Sequence, residues 1–475
     1  MSLRFKLPLL LTTALLLFGC SQSPPQLAQI IARGELNALT LNNPTSYYLT
    51  HDNLAAGFEV DLLRQFSQQL GVKLHLTVVE SPAELYEALR ESSFDIAAAG
   101  LTIDRGALWL RYSPPYTKVK QLLIGHQKDK LPKSLAELPD YPHPLTIISG
   151  TRADTLLQTL LFQYRDLTWQ TLSLTPEALL EEIWQQRQGV TIVDDHTFNL
   201  YRRFYPELKS AFELTESESV AWAMRAIEGD ETLYQATADF IETISHNGQL
   251  AILADRHFGH FDEYSFVGSR TFRNHVESRL SRFRVLFEYA GKEVDLDWRI
   301  LAAMAYQESH WDPDAVSPTG VKGIMMLTLA ASKDIGVEDR TDPVQSIRGG
   351  ALYLRRLIDR IPADITMPDR IWFAMAAYNI GLGHLEDARI LTQRQGDNPD
   401  LWQHVRNHLP KLRQKKWHST VKHGYARGDE AANYVERIRG YYDILRWQTE
   451  KEAKEQQQLE SQPQPLHLMS DNPVL

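Results

Sequence analysis

A single cysteine, Cys20, is present among the 475 residues, so no disulfide bond can form within the chain, whatever its redox compartment. The sequence also lacks a His-Glu-x-x-His motif, and its 16 histidines are scattered. We therefore predict neither a metal nor a cofactor. The apolar run of residues 7–18 is shorter than the roughly 18 to 20 residues that a membrane-spanning helix needs, so it does not indicate a span.

The overall charge balance argues against nucleic acid as a partner, because such a partner needs a denser excess of basic residues. Residues 1–269 carry 21 Lys+Arg against 32 Asp+Glu, residues 270–450 carry 27 against 24, and residues 451–475 carry 2 against 4. The differences of −11, +3 and −2 sum to the net charge of −10. A mildly basic C-terminal unit is suited to an anionic polymer such as a cell wall.

The first 20 residues have the layout of a secretory signal. Arg4 and Lys6 precede the apolar run, and residues 17–20 read Leu-Phe-Gly-Cys, which resembles a bacterial lipobox. That resemblance implies that Cys20 becomes the lipidated first residue of the mature protein. By resemblance to sorted lipoproteins, Ser21 after the cysteine implies the periplasmic face of a Gram-negative outer membrane, held by acyl chains. The alternative is a buried cysteine in a retained helix.

The chain is too long for one ordinary core, and its 43% hydrophobic content favours several globular units. A Gly/Ser pair near residues 268–271 marks the predicted boundary between two differently patterned segments. The last residues are rich in Gln, Glu, Ser and Pro, which is typical of disorder. The predicted segments are a signal peptide (1–20), a linker (21–29), an α/β domain (30–268), a mostly α-helical domain (269–449) and a disordered tail (450–475).

Short apolar runs alternate with amphipathic helical segments in the predicted α/β domain; the run of residues 73–79, for example, follows a helical pattern. Three stretches resemble, in the right order, the periplasmic solute-binding proteins that capture amino acids. They are Gly-Phe-Glu-Val-Asp-Leu-Leu at 57–63, Phe-Asp-Ile-Ala-Ala-Ala-Gly-Leu-Thr at 94–102 and Tyr-Ser-Pro-Pro-Tyr at 112–116. The resemblance implies a fold of two lobes that close on a ligand.

The same resemblance supplies three candidate ligand-binding residues. Arg105 matches the arginine that clamps the ligand's carboxylate through two parallel charge-assisted hydrogen bonds. Thr151 belongs to a Gly-Thr turn whose backbone amides receive a carboxylate. Asp194, with Asp195 as the alternative, matches the strand-end acid that receives the ligand's ammonium group. It remains open whether Arg105 and Asp194 are instead ordinary ion-pairing residues, since a fold does not guarantee its site.

One carboxylate, Glu308, is predicted at the end of an apolar helix, directly before a polar loop punctuated by glycine. Apolar residues recur at helical spacing before Glu308, and Pro313 is the first break after it; the apolar positions are Trp298, Ile300, Leu301, Met304 and Ala305. A carboxyl group partly removed from water has a raised pKa, which keeps it protonated and able to act as a general acid. The alternative is a solvated surface position.

The sequence that begins at Glu308 resembles the lytic transglycosylase family, which has the lysozyme-like fold of goose-type lysozyme. The family signature reads Glu-Ser, then Ala-x-Ser-x-x-Gly-x-x-Gly-Leu-Met-Gln, and the matching residues are Glu308, Ser309, Ala315, Ser317, Gly320, Gly323 and Met325. Ile324 replaces Leu, and Met326 replaces Gln. The second departure is chemically large and bears on one polar contact to sugar, but not on the acid.

Two further blocks follow in family order: residues 376–383 read Ala-Ala-Tyr-Asn-Ile-Gly-Leu-Gly, and residues 433–438 read Asn-Tyr-Val-Glu-Arg-Ile. The resemblance implies that Ser317 hydrogen-bonds near the acid, that Met325 packs against sugar and that Asn379 orients an acetamido group. It also implies that Tyr378 and Tyr434 complete the cleft, Tyr434 lying across from the acid. Core positions for Met325 and Tyr378, and a helix cap for Asn379, are the alternatives.

The reaction that this resemblance implies is non-hydrolytic cleavage of peptidoglycan between N-acetylmuramic acid and N-acetylglucosamine. Glu308 would act first as acid and then as base, and the substrate's own C6 hydroxyl would close a 1,6-anhydro ring. An ordinary glycosidase needs a second carboxylate. The nearest ones, Asp312 and Asp314, flank Pro313 and are typical of a turn.

Two alternatives remain open: a peptidoglycan-sensing lipoprotein that no longer cuts, and a muramidase that uses water. The N-terminal domain is interpreted as non-catalytic. The hypothesis is that it binds a cell-wall peptide or an amino acid and adjusts access to the cleft.

Overall fold

A computed structural model describes residues 24–43, 45–50, 54–91, 93–259, 266–317 and 320–461. The predicted signal peptide, with Cys20, lies outside these residues. Within the described part of the chain, no helix combines the length and the apolar composition needed to cross a bilayer.

Helices account for most of the second half of the chain. The α-helices are α1 (Gln26–Arg33), α2 (Phe58–Leu70), α3 (Pro82–Arg90), α4 (Arg152–Leu160), α5 (Pro176–Gln186), α6 (Asp195–Tyr201), α7 (Thr232–His246), α8 (Gln249–Phe258), α9 (Phe266–Ser278), α10 (Arg284–Val294), α11 (Trp298–Ser309), α12 (Leu329–Ile335), α13 (Pro343–Arg360), α14 (Asp369–Ile380), α15 (Leu382–Arg394), α16 (Trp402–His408), α17 (Lys415–His418) and α18 (Gly428–Ser461). Short 3-10 helices lie at Leu135–Glu137, Leu280–Arg282 and Leu409–Arg413.

The strands of the described residues all lie in the first half. They are β1 (Glu35–Leu41), β2 (Tyr48–Leu49), β3 (Ala55–Ala56), β4 (Lys73–Val79), β5 (Ile96–Ala97), β6 (Leu110–Tyr112), β7 (Thr117–Val119), β8 (Gln121–His126), β9 (Thr146–Ile148), β10 (Gln170–Leu172), β11 (Val190–Asp194), β12 (Leu208–Glu213), β13 (Glu218–Val220) and β14 (Ala223–Arg225).

The first lobe contains a five-stranded mixed sheet in the order β4-β1-β5-β14-β6. Strand β1 runs parallel to β4 and β5, and helices α2 and α3 form the crossovers that parallel pairing requires. Strand β14 runs antiparallel to β5 and β6. Residues of α1, α2, α7 and α8 cover the sheet with an apolar cluster in which the rings of Trp222 and Phe240 stack at 5.8 Å.

The second lobe contains the antiparallel sheet β11-β8-β12, and the parallel pair β9-β10 is connected to it by a bridge between Leu145 and Val190. The chain enters this lobe after β7 and leaves it through β13, and these two strands pair antiparallel. The two lobes are therefore joined by two crossing strands. The predicted α/β architecture of two lobes is confirmed.

The C-terminal unit is helical from α9 to α18, which confirms the predicted mostly α architecture. Helix α11 packs against α10, α13 and α18. All of its residues from Ile300 to Tyr306 are buried, because neighbouring helices cover it on several sides. The end of α11 is therefore held by a rigid, dry support.

The second lobe and the C-terminal unit share one continuous apolar cluster. The ring of Phe204 stacks on Trp447 at 4.4 Å, and Arg203 pairs with Asp443 at 3.2 Å. On the side of the first lobe, Asp255 of α8 pairs with Arg406 at 2.7 Å. The two units are thus packed together by both apolar and ionic contacts.

The structure differs from the predicted segment bounds at three places. Helix α1 begins at Gln26, inside the predicted linker, and residues 268–271 lie within helix α9. Helix α18 continues to Ser461, into the segment predicted to be disordered. Glu, Lys, Ala and Gln in this stretch are good helix formers, and Arg284 anchors Glu452 at 2.8 Å. Residues 462–475 lie outside the described part of the chain.

Candidate active site

Glu308 lies in the last turn of helix α11, as predicted. The helix begins at the N-cap Asp297, whose carboxylate accepts a hydrogen bond from the Arg299 backbone amide at 3.0 Å. The buried carboxylate of Asp297 also accepts one from the Tyr442 hydroxyl at 2.9 Å, which ties the start of α11 to α18. The start of the helix that presents Glu308 is therefore fixed.

The chain leaves α11 through two consecutive residues in the left-handed region, His310 with φ 52° and Trp311 with φ 59°. Side chains other than glycine adopt this region only when their surroundings hold them there. Trp311 is buried, and its Nε1 donates a hydrogen bond to the Ala302 carbonyl at 2.8 Å. This anchor turns the loop back across the helix end next to Glu308.

The glycine-punctuated loop is bonded to the same helix end. The Ser309 hydroxyl donates to the Ile324 carbonyl at 2.8 Å. Gly323 has φ 82°, and a Cβ at this position would lie 1.8 Å from the Arg340 carbonyl oxygen, so only glycine fits. Ser317 closes the loop internally, since its hydroxyl accepts from the Val321 amide at 3.0 Å.

The Tyr434 hydroxyl donates a hydrogen bond to Oε1 of Glu308 at 2.6 Å, across 126 residues of sequence. Tyr434 comes from α18 and is 4% exposed. Burial raises the pKa of Glu308 to about 7 from the ordinary 4.5, and the hydrogen bond from Tyr434 offsets part of that rise. Burial and the charge of Glu308 hold the pKa of Tyr434 well above its usual range, so Tyr434 stays a donor.

Burial raises the pKa of Tyr378 well above its usual range, and the charge of Glu308 adds to that rise. The Tyr378 hydroxyl donates to the Met325 carbonyl at 2.8 Å, and its ring lies edge-on to Tyr353 at 5.3 Å. The Met325 side chain itself is fully buried against Gly350. The structure therefore favours the core alternative for Met325, while its backbone supports Tyr378.

Asn379 is exposed in the last turn of α14, two residues before Gly381 ends the helix with φ 86°. Met326, which replaces the family's Gln, is partly exposed and has φ 44°. Asp312 accepts a hydrogen bond from the Asp314 amide at 3.0 Å, so this carboxylate shapes the turn, as expected. Sequence reasoning missed the tethering role of Ser309, although its place beside the acid in the Glu-Ser pair was a signal.

A cavity of about 160 Å³ lies between the two lobes of the N-terminal domain. Thr151 and Asp194 line it, but Arg105 is exposed and is not part of the lining. Asp194 caps helix α6 by accepting hydrogen bonds from the amide and hydroxyl of Thr197 at 2.8 and 2.7 Å. The carboxylate predicted to receive an ammonium group is thus already bonded to a helix end.

The guanidinium group that does line this cavity belongs to Arg152, the first residue of α4. Its Nε donates to Glu218 at 2.8 Å. The sequence signal for Arg152 was its place directly after the Gly-Thr turn. The family pattern instead places the arginine that binds the carboxylate shortly after a Gly-x-Thr stretch, and it therefore selects Arg105.

Comparison with known proteins divides the chain in the same way. The sequence model of the bacterial extracellular solute-binding proteins, family 3, matches residues 36–260, and that of the transglycosylase SLT domain matches residues 285–401. Solved structures with a similar N-terminal part include the solute receptor for L-cysteine of Neisseria gonorrhoeae, with 18% identity and a TM-score of 0.44, covering 49% of this chain and 93% of that one.

Two relatives cover both parts of the chain. Membrane-bound lytic murein transglycosylase F 1 of Alkalilimnicola ehrlichii is 43% identical over 428 residues, which is 89% of this chain and 86% of that protein. Membrane-bound lytic murein transglycosylase F of Alteromonas mediterranea is 42% identical over 460 residues, which is 94% of this chain and 97% of that protein.

Proposed function

This chain belongs to the membrane-bound lytic murein transglycosylase F family and is a murein-degrading lytic transglycosylase, and we propose that Glu308 is its catalytic acid and base. The observation that carries this assignment is the setting of Glu308: the last turn of helix α11, a hydrogen bond from Tyr434, and a pKa raised by burial to about 7. At neutral pH, roughly half of such carboxyl groups hold a proton. Glu308 can therefore donate a proton and later accept one.

In the proposed reaction, Glu308 gives its proton to the oxygen between N-acetylmuramic acid and N-acetylglucosamine as the bond from this oxygen to the anomeric carbon breaks. The C6 hydroxyl of the muramic acid then attacks the anomeric carbon, and its proton passes to the carboxylate of Glu308. A C1–O6 bond replaces the broken bond, so the product carries a 1,6-anhydro ring and no water is consumed. An internal nucleophile supplies the proximity that a bound water would otherwise have to supply.

The other cleft residues have proposed supporting roles. Tyr434 steadies the carboxylate of Glu308, and Tyr378, whose hydroxyl is held on the Met325 carbonyl, forms the neighbouring wall. Asn379, exposed at the end of α14, orients the substrate's acetamido group. Ser317 keeps the loop beside the acid closed.

The test is mass spectrometry of the fragments that residues 21–475 release from purified peptidoglycan, beside the Glu308→Gln variant and, as a matched control, Glu338→Gln at an exposed position. We expect anhydro-muropeptides from the parent and the control, and none from Glu308→Gln. Fragments with free reducing ends would show a muramidase. No fragments from any of the three would support a sensing protein, the alternative that Met326 keeps open.

The N-terminal cleft is proposed to bind a cell-wall peptide or an amino acid and to adjust access to the catalytic cleft. Support comes from the cavity between the lobes and from the apolar cluster that the second lobe shares with the C-terminal unit. Cleavage rates measured with and without muropeptides test this proposal. Identical rates with every peptide tried would contradict it.

Relatives carry "membrane-bound" in their names. We propose that acyl chains on Cys20 hold this protein at the periplasmic face of the outer membrane. Replacing Cys20 with Ala should move the protein from the outer-membrane fraction to the soluble fraction. Retention of the variant in the membrane fraction would require another anchor.

A further inference from the structure

Residues 401–428, hereafter the basic segment, have an unusual charge composition. The segment contains seven Lys and Arg residues and four His residues, and it contains no Asp or Glu. It comprises α16, the 3-10 helix after it, α17 and the loop before α18. The nearly even charge of the whole C-terminal unit conceals this local excess.

The arginines of the basic segment are already paired with acids outside it. Arg406 contacts Asp255 at 2.7 Å and Glu436 at 3.4 Å. Arg413 pairs with Asp429, and Arg427 pairs with Glu430. These contacts neutralise the arginines within the protein.

Three lysines of the basic segment remain for other partners. Lys415, Lys416 and Lys422 are exposed, and none of them forms an ion pair with any residue that the structure describes. The ammonium groups of Lys411 and Lys416 each lie 4.8 Å from the ring centroid of Trp417. Trp417 packs against the main apolar cluster, so it provides a fixed support for these two charges.

The basic segment packs on helix α15 and connects it to the helix that carries Tyr434. The amides of His423 and Gly424 donate to the buried carboxylate of Asp387 in α15 at 2.7 and 3.1 Å. The His423 ring also abuts Gly383, where a Cβ would lie 2.8 Å from it. Helix α15 follows the end of α14 that carries Asn379, and the segment leads directly into α18, which carries Tyr434.

We propose that the basic segment binds the carboxylates of the stem peptides on peptidoglycan and so gives the enzyme a preference for peptide-bearing strands. This proposal rests on the proposed function. The sugar rings of the strand offer no charge for the lysines, whereas the stem peptides offer several carboxylates close to the bond that is cut. Exposed lysines beside a fixed aromatic ring, in the segment that leads into the helix carrying Tyr434, are suited to such mobile anions.

The test compares kcat/KM on native strands and on strands whose carboxylates have been capped as neutral amides. The variant Lys415→Gln/Lys416→Gln removes two charges from the segment. The control Lys292→Gln/Lys333→Gln removes two exposed charges from α10 and α12. We expect the first variant to lose about threefold to tenfold on native strands and less than about twofold on capped strands. The control should lose less than about twofold on both.

Three outcomes would overturn the proposal: an equal loss on native and capped strands, the same loss in the control, or no loss at all. Strands stripped of peptide but retaining the lactyl carboxylate distinguish the source of the charge. A loss of the same size on stripped strands would assign the segment to the lactyl group instead. Loss of binding to anionic phospholipid vesicles, with the strand preference intact, would assign it to a membrane surface.

A binding measurement separates this proposal from the assignment of the catalytic acid. In the Glu308→Gln background, strand binding does not depend on turnover. Tighter binding of native than of capped strands, reduced by Lys415→Gln/Lys416→Gln, would support the proposal even if no strand were cleaved by the parent. Equal binding of both strands would contradict it even if the parent were fully active.

Discussion

The two clefts of this chain differ in how closely their predicted residues meet. In the C-terminal cleft, Glu308 and Tyr434 are joined by a hydrogen bond of 2.6 Å. In the N-terminal cleft, Thr151 and Asp194 line one cavity while Arg105 lies exposed outside it. Glu308 and Tyr434 lie on helices that pack in a shared core. Arg105 lies on a loop, and the length of that loop decides the direction of the Arg105 side chain. Helix-borne motifs therefore transfer from sequence to structure more reliably than single loop residues.

The largest expected effect tests the C-terminal side of this comparison. Replacing Glu308 with Gln keeps the shape of the side chain but removes the proton donor, so we expect cleavage to fall by about a thousandfold. The rate of anhydro-muropeptide release measures this. A fall of less than tenfold, with the variant folded, would mean that another group supplies the proton.

The next prediction concerns the loop that closes the same cleft. Gly323→Ala places a Cβ against the Arg340 carbonyl at a φ of 82°, so we expect a loss of stability of about 3 kcal/mol or more. Gly320→Ala is the matched control: its φ is 80°, but nothing lies within 4 Å of the added Cβ. The control should cost about 1 kcal/mol. Equal unfolding midpoints for the two variants would show that the contact of the added Cβ with the Arg340 carbonyl costs no additional stability.

A smaller effect follows from the raised pKa of Glu308. The folded pKa of about 7 exceeds the ordinary 4.5, so protonation favours the folded state. The resulting stability is fully present below about pH 4.5 and is lost as the pH rises through about 7. Glu308→Gln should therefore be more stable than the parent by about 1 to 3 kcal/mol at pH 8, but not at pH 4.5.

Urea unfolding at the two pH values measures this difference, with Glu338→Gln as a control that should follow the parent at both. If Glu308→Gln is more stable than the parent by the same amount at both pH values, burial does not disfavour the charged form of Glu308. The site would then lack the raised pKa that the role of general acid requires.

The smallest effect tests the N-terminal side. If Arg152 is the guanidinium group that meets a ligand's carboxylate, Arg152→Gln should weaken muropeptide binding by about tenfold. Arg105→Gln should change it by less than about twofold. Calorimetric titration of both variants decides between them, and the reverse order would restore Arg105 as the clamp.

Much of the architecture could be predicted because it follows from periodicity. Apolar spacing predicted the helix that carries Glu308 and placed the acid in its last turn, and the alternation of strands and helices predicted an α/β domain. The two lobes were implied by the resemblance to the solute-binding proteins. The end of α18 could not be predicted from composition. The polar stretch after residue 449 is held by tertiary contacts such as Arg284–Glu452, which no local pattern reveals.

The site could be predicted less completely than the fold. A motif names Met325 but does not say that its side chain points into the core while its carbonyl holds Tyr378. Similarly, nothing in the family pattern indicates that the Asp194 carboxylate is bonded to the start of α6. Whether a side chain can contact a ligand depends on the packing and hydrogen bonds that neighbouring helices and strands already make with it.

Cleavage in ¹⁸O-labelled water shows whether Glu308 cuts the strand without the attack of water. We expect the parent to release 1,6-anhydro ends that contain no ¹⁸O, and Glu308→Gln to release no such ends. Reducing ends that carry ¹⁸O would contradict this expectation, because they would show that water, and not the substrate's C6 hydroxyl, attacks the anomeric carbon.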